Sequence, residues 1–397
     1  MDFLLQTEKY HKIVFIKQSI RKLNPNEQTI RNLLCYYLSL ANNKYNTLEK
    51  LDYFLSMSYD MRYRVGLSTF GSYSIITYSL SAIDPKYLAD KDYNLNFLEK
   101  TFNELLKPLI KHNKFDNKIF MKAKEFYASN LLYELESEDK KAYDGLIDAY
   151  FSNTIRNFKA SGDLEELENI TINDLYNYYL SILNDEEISY VTGDVKALKA
   201  YNNSNLKIKN DYFFKERTNS LDYIHDAAKT KQAYLFIIYD PFIFSDSKLC
   251  QALTLINHHF GSSNNSKLFL NIREKLGLCY SISSSYMAAS GIILVQAIIN
   301  KKDEKKVIEE IDNIFNHLLD DFNLEEKKEF YKMYYKDKYD YIYTLYSEFM
   351  NENYFINTPT IKKELEIIES LTMEDIKEAY SKMKKTLVYV YGGDLDE

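Results

Sequence analysis

The 397-residue sequence is short of the residues that interrupt or cross-link a fold, with 10 glycines, 5 prolines, 3 cysteines and no tryptophan. So little Gly and Pro leaves small room for low-complexity linkers and puts most of the chain in regular elements. Cys35, Cys250 and Cys279 are odd in number, scattered and without a CxxC pair, so they read as free thiols in a reducing compartment. Long apolar runs are missing: Gly291–Ile299 is among the longest and is far too short to span a bilayer. Basic stripes are missing as well. With a net charge of −8 and a pI of about 5.5, nucleic acid is set aside as the main partner. The N-terminal apolar patch in MDFLLQTEKYHK has no basic lead, unlike a cleavable signal, and the expected location is cytoplasmic. No G-x-x-x-x-G-K-[ST], G-x-G-x-x-G or G-x-S-x-G occurs, which removes the common nucleotide-binding and hydrolase signatures.

What is present is an ordinary globular balance, 46% hydrophobic and 27% charged, in a chain long enough for about two or three domains. Tyrosine is abundant at 37 residues, so a Tyr cluster by itself says little about a site. The most informative pattern is a repeat with a period near 200. Ile170-Thr171-Ile172-Asn173-Asp174-Leu175 leads through a helical stretch into a strand ending at Gly193-Asp194. Leu371-Thr372-Met373-Glu374-Asp375-Ile376 leads the same way to Gly393-Asp394. Each is a Thr-capped helix followed by a β-rich strand, which indicates a duplicated domain.

Alternating stretches, 66–83 and 278–299, predict strands or hairpins in both halves. Helical spacing surrounds them. Asn46 is expected to cap a helix with Glu49 at its third position and Leu48, Leu51, Phe54 and Leu55 on one face; Val307, Ile311, Ile314, Phe315 and Leu318 keep the same spacing. The expectation is an α+β fold of two homologous halves, each a mainly antiparallel sheet with helices packed on it. The boundaries expected are 1–200, a linker at 201–230 and 231–397.

One segment, Asn265–Ser283 (NSKLFLNIREKLGLCYSIS), brings polar chemistry together. Leu268, Phe269 and Ile272 form the inner face of a short helix, Arg273 follows Phe269 by one turn, and Gly277 suits the left-handed position that ends a helix. Tyr280 then opens an alternating strand. A guanidinium and a phenol across one tight turn are both donors to a substrate carbonyl. On the residues alone a second reading stays open, because an Arg at a helix C-terminus also complements the macrodipole and a strand Tyr is common here.

The segment resembles the C-terminal-half signature of the pitrilysin-like (insulinase, mitochondrial processing peptidase) zinc peptidases: S-R-L-F, then R-E-K, then G-L-[A/G]-Y-S. Here it stands as Ser266-Lys267-Leu268-Phe269, Arg273-Glu274-Lys275 and Gly277-Leu278-Cys279-Tyr280-Ser281. The resemblance implies two halves that close like a clam around a chamber, with Arg273 and Tyr280 holding substrate and stabilising the tetrahedral intermediate. It also implies a glycine-rich, substrate-contacting loop, which here is the shorter Gly261-Ser262-Ser263-Asn264-Asn265.

Active members of the family carry H-x-x-E-H, two zinc-binding His flanking a general base. The stretch equivalent to it here is Leu33-Leu34-Cys35-Tyr36-Tyr37, and no His lies between His11 and His112. The adjacent His258 and His259 point about 100° apart on a helix and lack a third ligand at i+4. No metal is therefore expected on this chain. What the resemblance implies is a non-metal subunit that supplies Arg273 and Tyr280, with Gly261 and Ser262 as further substrate contacts, to a zinc-bearing sister carrying H-x-x-E-H. The assembly would cleave peptides or leader segments, and the isolated chain would be inactive. The alternative is a catalytically inactive scaffold or peptide-binding subunit of the same fold.

Overall fold

The computed structural model of the protein describes residues 3–152, 154, 157–199, 207–209, 221–245, 247–356 and 358–393. The first half runs β1 (Phe3–Gln6), β2 (Lys12–Lys22), α1 (Gln28–Leu40), α2 (Leu48–Met57), β3 (Arg62–Phe70), β4 (Tyr73–Ile83) and α3 (Leu95–Leu105). A small hairpin follows, β5 (Ile110–Lys111) and β6 (Lys114–Phe115), then α4 (Asn117–Glu136), α5 (Glu138–Phe151), α6 (Leu164–Asn169), α7 (Ile172–Ile182), β7 (Glu186–Gly193) and β8 (Ile208–Lys209). The second half runs β9 (Asp222–Asp226), β10 (Ala233–Tyr239), α8 (Lys248–Phe260), β11 (Cys279–Met287), β12 (Ile292–Ile299), α9 (Glu304–Asn316) and α10 (Leu324–Lys338). It closes with α11 (Ile342–Asn353), β13 (Phe355–Ile356), α12 (Ile361–Ser370), α13 (Met373–Lys382) and β14 (Lys385–Gly392).

The duplication is visible strand by strand. One sheet has the order β1-β7-β2-β4-β3 and the other β9-β14-β10-β12-β11. In both, the first pair is parallel and the other three are antiparallel. The anchoring helices match too. In α7 the Thr171 hydroxyl accepts from the Asp174 amide while Asp174 accepts back from the Thr171 amide; Thr372 and Asp375 repeat this box in α13. Both following strands end on a glycine at positive φ, Gly193 and Gly392, and the expected Gly-Asp end of the second copy reaches Asp394, outside the described residues. The α+β expectation holds.

Two details differ from the sequence reading. Helix α2 is capped by Thr47, whose hydroxyl accepts from the Lys50 amide, while Asn46 accepts from the Lys50 ammonium at 3.0 Å. The expected linker contains β8 and β9, the latter paired in parallel with β14; residues 201–206 and 210–220 lie outside the described residues.

The compact units do not follow a single cut in the chain. One comprises Met1–Glu136, Phe158–Lys209 and Tyr339–Ile356; the other Ser137–Asn157, Asn210–Lys338 and Asn357–Glu397. The units thus exchange topologically equivalent helices, α5 for α11. In the first unit one sheet face packs on α1, α3, α4 and α7 through Ile13, Phe15, Leu80 and Val191. The opposite face, Val14, Ile16, Ile20, Ile75 and Tyr190, is covered by α11 through Ile342 and Met350, with Tyr190 stacked on Tyr346 at 4.4 Å. In the second unit Tyr239 stacks on Phe315 of α9 at 4.4 Å, on one face. The other face, Phe236, Ile238, Leu294 and Tyr389, receives Leu146, Ile147, Tyr150 and Phe151 of α5. Each of these side chains contributes roughly 1.5–3 kcal/mol on full burial. Gly145 allows the approach, since a Cβ there would sit 2.0 Å from the Tyr389 hydroxyl. No helix among the described residues is long and apolar enough to cross a membrane.

Candidate functional site

Arg273 and Tyr280 sit on either side of a turn whose backbone is closely determined. Phe269–Lys275 is a π-helical turn, not the regular short helix expected. The Leu276 amide bonds to Asn271 O at 3.0 Å, the wider i→i−5 pattern, and the Leu278 amide returns to Ile272 O at 3.1 Å. Gly277 lies between them at φ +61°, as its left-handed role predicts. Leu268 and Ile272 are fully buried and pin the turn to the core, while Arg273 faces outward. Its guanidinium lies 4.8 Å from the Phe269 ring centroid, a cation–π contact, and only 4.0 Å from Glu274, too long for a strong ion pair.

Tyr280 is the extra residue of a β-bulge. Cys279 pairs with Ile299 and Ser281 with Ile298, so Tyr280 has no opposite number on β12. It is 56% exposed. The bulge breaks the alternation assumed for the start of this strand. Burial pushes the neighbouring Cys279 thiol up to about 11, although the Arg273 charge pulls the other way, so the thiol stays protonated and is no nucleophile at neutral pH. The strand is anchored beyond the bulge: Ser284 donates to Asn257 of α8 at 2.6 Å and the Ser284 amide donates to Gly261 O at 3.0 Å.

Gly261 is buried at the C-cap of α8, and a Cβ there would approach Ser284 Oγ to 2.5 Å and Leu268 to 2.8 Å. Its small size therefore serves packing beneath the turn, while the adjacent Ser262 is exposed. His258 and His259 diverge. His258 packs 4.2 Å from Phe330, and burial lowers its pKa to about 4; His259 lies 3.3 Å from Asp321. They do not form a ligand pair.

Helix α1 holds the stretch equivalent to the missing metal motif. Leu33, Leu34 and Tyr37 have no exposed surface, and the Tyr37 hydroxyl donates to Leu109 O and accepts from the Asp116 amide, at 2.7 and 2.8 Å. Burial pushes the Cys35 thiol to about 12. These residues do not fit zinc: they supply no neutral imidazole or carboxylate, and among the described residues no cluster of three His, Cys, Asp or Glu is suited to a metal.

The sequence reading missed the polar network that anchors α1. Arg31, fully buried, donates to Ser74 O at 3.1 Å, Ser19 O at 3.4 Å and Tyr178 at 3.3 Å, and faces Asp185 at 3.4 Å. Arg21 completes it through Asp185 at 2.7 Å. No spacing signal separates such an arginine from a solvated one, because its partners lie more than a hundred residues away or on neighbouring strands.

Residues 169–332 match the profile of a family described as "Peptidase M16 inactive domain". Over 412 aligned residues the chain is 24% identical to the "Probable inactive metalloprotease YmfF" of Bacillus subtilis (strain 168), covering 98% of this chain and 95% of that protein. A conserved protein from Enterococcus faecalis V583 has a similar structure, with a TM-score of 0.84 at 23% identity, covering 99% of this chain and 96% of that one. A peptidase M16 inactive domain from Pseudomonas fluorescens gives a TM-score of 0.71 at 14% identity, with 98% and 94% covered. In sequence and fold the chain is thus similar to pitrilysin-like (M16) peptidases, with the family model matching residues 169–332. No H-x-x-E-H occurs anywhere in the sequence, and both the matched domain family and the Bacillus relative carry the description inactive.

Proposed function

We propose that the chain is the non-metal subunit of a two-chain zinc peptidase of the cytoplasm that cleaves peptides or leader segments. The zinc and the general base belong to a sister subunit carrying H-x-x-E-H. Arg273 and Tyr280 of this chain hold the substrate and donate hydrogen bonds to its carbonyl oxygen as that oxygen gains negative charge. The observation that carries the reading is the placement of the pair: both residues are exposed, on a π-turn and a bulge, with no strong partner among the described residues. π-turns and bulges are found preferentially beside functional sites, where they aim a side chain. Arg supplies a charge that persists at any working pH, and Tyr supplies a neutral donor.

The test is reconstitution with the zinc-bearing sister. The isolated chain is expected to hold no stoichiometric zinc and to cleave nothing. In the complex, Tyr280→Phe and Arg273→Ala should each lower kcat by about 100-fold, the effect of losing one preorganised donor. Unchanged activity of both variants would turn the conclusion to the second reading, a scaffold or peptide-binding subunit with no part in the chemistry.

A further inference from the structure

The outer face of the second unit's sheet carries a groove that the proposed chemistry does not use. Helix α5 covers β10, β14 and the start of β12 around Leu294, but leaves the later part of β12, from Gln296, and the edge strand β11 open beside it. The resulting cavity, about 420 Å³, falls within the roughly 300–1,000 Å³ of ordinary ligand pockets. Phe236 and Ile298 form apolar floor and Tyr143 and Tyr234 add aromatic wall, while Ser281, Ser283 and Gln296 give a polar side. Ser281 directly follows Tyr280, so the groove begins one residue from the candidate site.

The charge at its rim is acidic and unneutralised. Among the charged residues in the first turn of α5, Lys141 is bound to Glu138 at 2.7 Å, Glu138 also accepts from the Tyr391 hydroxyl at 2.9 Å, and Lys140 pairs with Asp144. Asp139 lines the groove, is exposed, and has no hydrogen bond or ion pair among the described residues. Its charge and that of Glu138 both reach Tyr234, where they add to burial in raising the hydroxyl's pKa. An anion entering here would meet Asp139. A purely apolar side chain would strip water from Ser281, Ser283 and Gln296 without replacing its hydrogen bonds. A long cationic side chain avoids both costs: its methylene stem lies on Phe236 and Ile298, and its head meets the carboxylate beside two aromatic rings.

We infer that this groove is a subsite for an arginine or lysine side chain of an extended peptide, with Asp139 as the residue that selects the charge. The inference rests on the reading of this chain as a peptide-contacting subunit, but not on Arg273 or Tyr280. An extended peptide running along β11 presents alternate side chains to one face of the sheet, which is the spacing at which Ser281 and Ser283 line the groove.

The experiment measures binding of a short alanine-based peptide with one central arginine to the full chain, against copies carrying citrulline or glutamate there. Arginine should bind about tenfold tighter than citrulline, the size of one charge-assisted contact. Asp139→Asn should bring the two within about twofold, and Asp139→Lys should reverse the order in favour of glutamate. Thermal melts of both variants check that α5 stays folded. Equal binding of arginine and citrulline, no saturable binding of any peptide, or an arginine preference that survives Asp139→Asn would each overturn the inference. The double variant Arg273→Ala with Tyr280→Phe should keep the preference. If it does while leaving reconstituted cleavage unchanged, the catalytic reading fails and the subsite stands.

Discussion

At Leu33–Tyr37 helix α1 turns into the core the face that would hold a metal, whereas at Arg273–Tyr280 the polar groups stand at the surface with little to hold them. The first stretch has been absorbed by packing: its leucines are fully buried and Tyr37 bonds to the backbone on both sides of the β5–β6 hairpin. The second contributes little to stability that can be identified beyond one cation–π contact, yet it is built on a backbone that only a few sequences adopt. A segment whose chemistry has been lost is free to become core. Exposed donors on a constrained turn are what the proposed contact with substrate requires.

The comparison breaks first at its buried end. Leu33→His with Tyr37→His should not restore a metal site; it should cost about 4 kcal/mol or more by removing packed volume and two hydrogen bonds. Denaturant unfolding measures the loss, and metal analysis should find no zinc. Stability unchanged from wild type, or stoichiometric zinc, would show α1 to be a latent site, not a filled one. A smaller effect is expected at the turn. Gly277→Ala should cost about 1 kcal/mol from φ alone, because a Cβ there meets nothing within 4 Å. A cost several times larger would mean that the π-turn is held by contacts of Gly277 and not by its conformation. Smallest of all, Arg273→Ala and Tyr280→Phe should each move stability by no more than about 0.5 kcal/mol. A larger loss from either would recast that residue as a structural one.

Much of this was legible in the sequence, for local reasons. The capping boxes at Thr171 and Thr372, the glycines that end β7 and β14, and the alternating stretches that became the β3–β4 and β11–β12 hairpins are all set by near neighbours. Gly277 announced the end of the turn for the same reason. What was hidden depends on distant partners. Helix α5 carries an apolar face, but nothing in that face says which sheet it covers. Arg31 in mid-helix looks like any exposed arginine until Ser19, Ser74, Tyr178 and Asp185 are placed around it. The bulge at Tyr280 is set by register with β12, and the groove beside it by where α5 begins.

The exchange of α5 and α11 also sets an order of events during synthesis. A ribosome that has completed β7 has made every strand of the first sheet, but the helix that covers Val14, Ile16, Ile20 and Tyr190 is encoded some 150 residues further on. Until α11 emerges, that apolar face is wet, and α5 has no sheet of its own to cover. The first unit therefore cannot be finished before most of the second has left the ribosome, and a chain truncated between them is left with one bare sheet and one stranded helix.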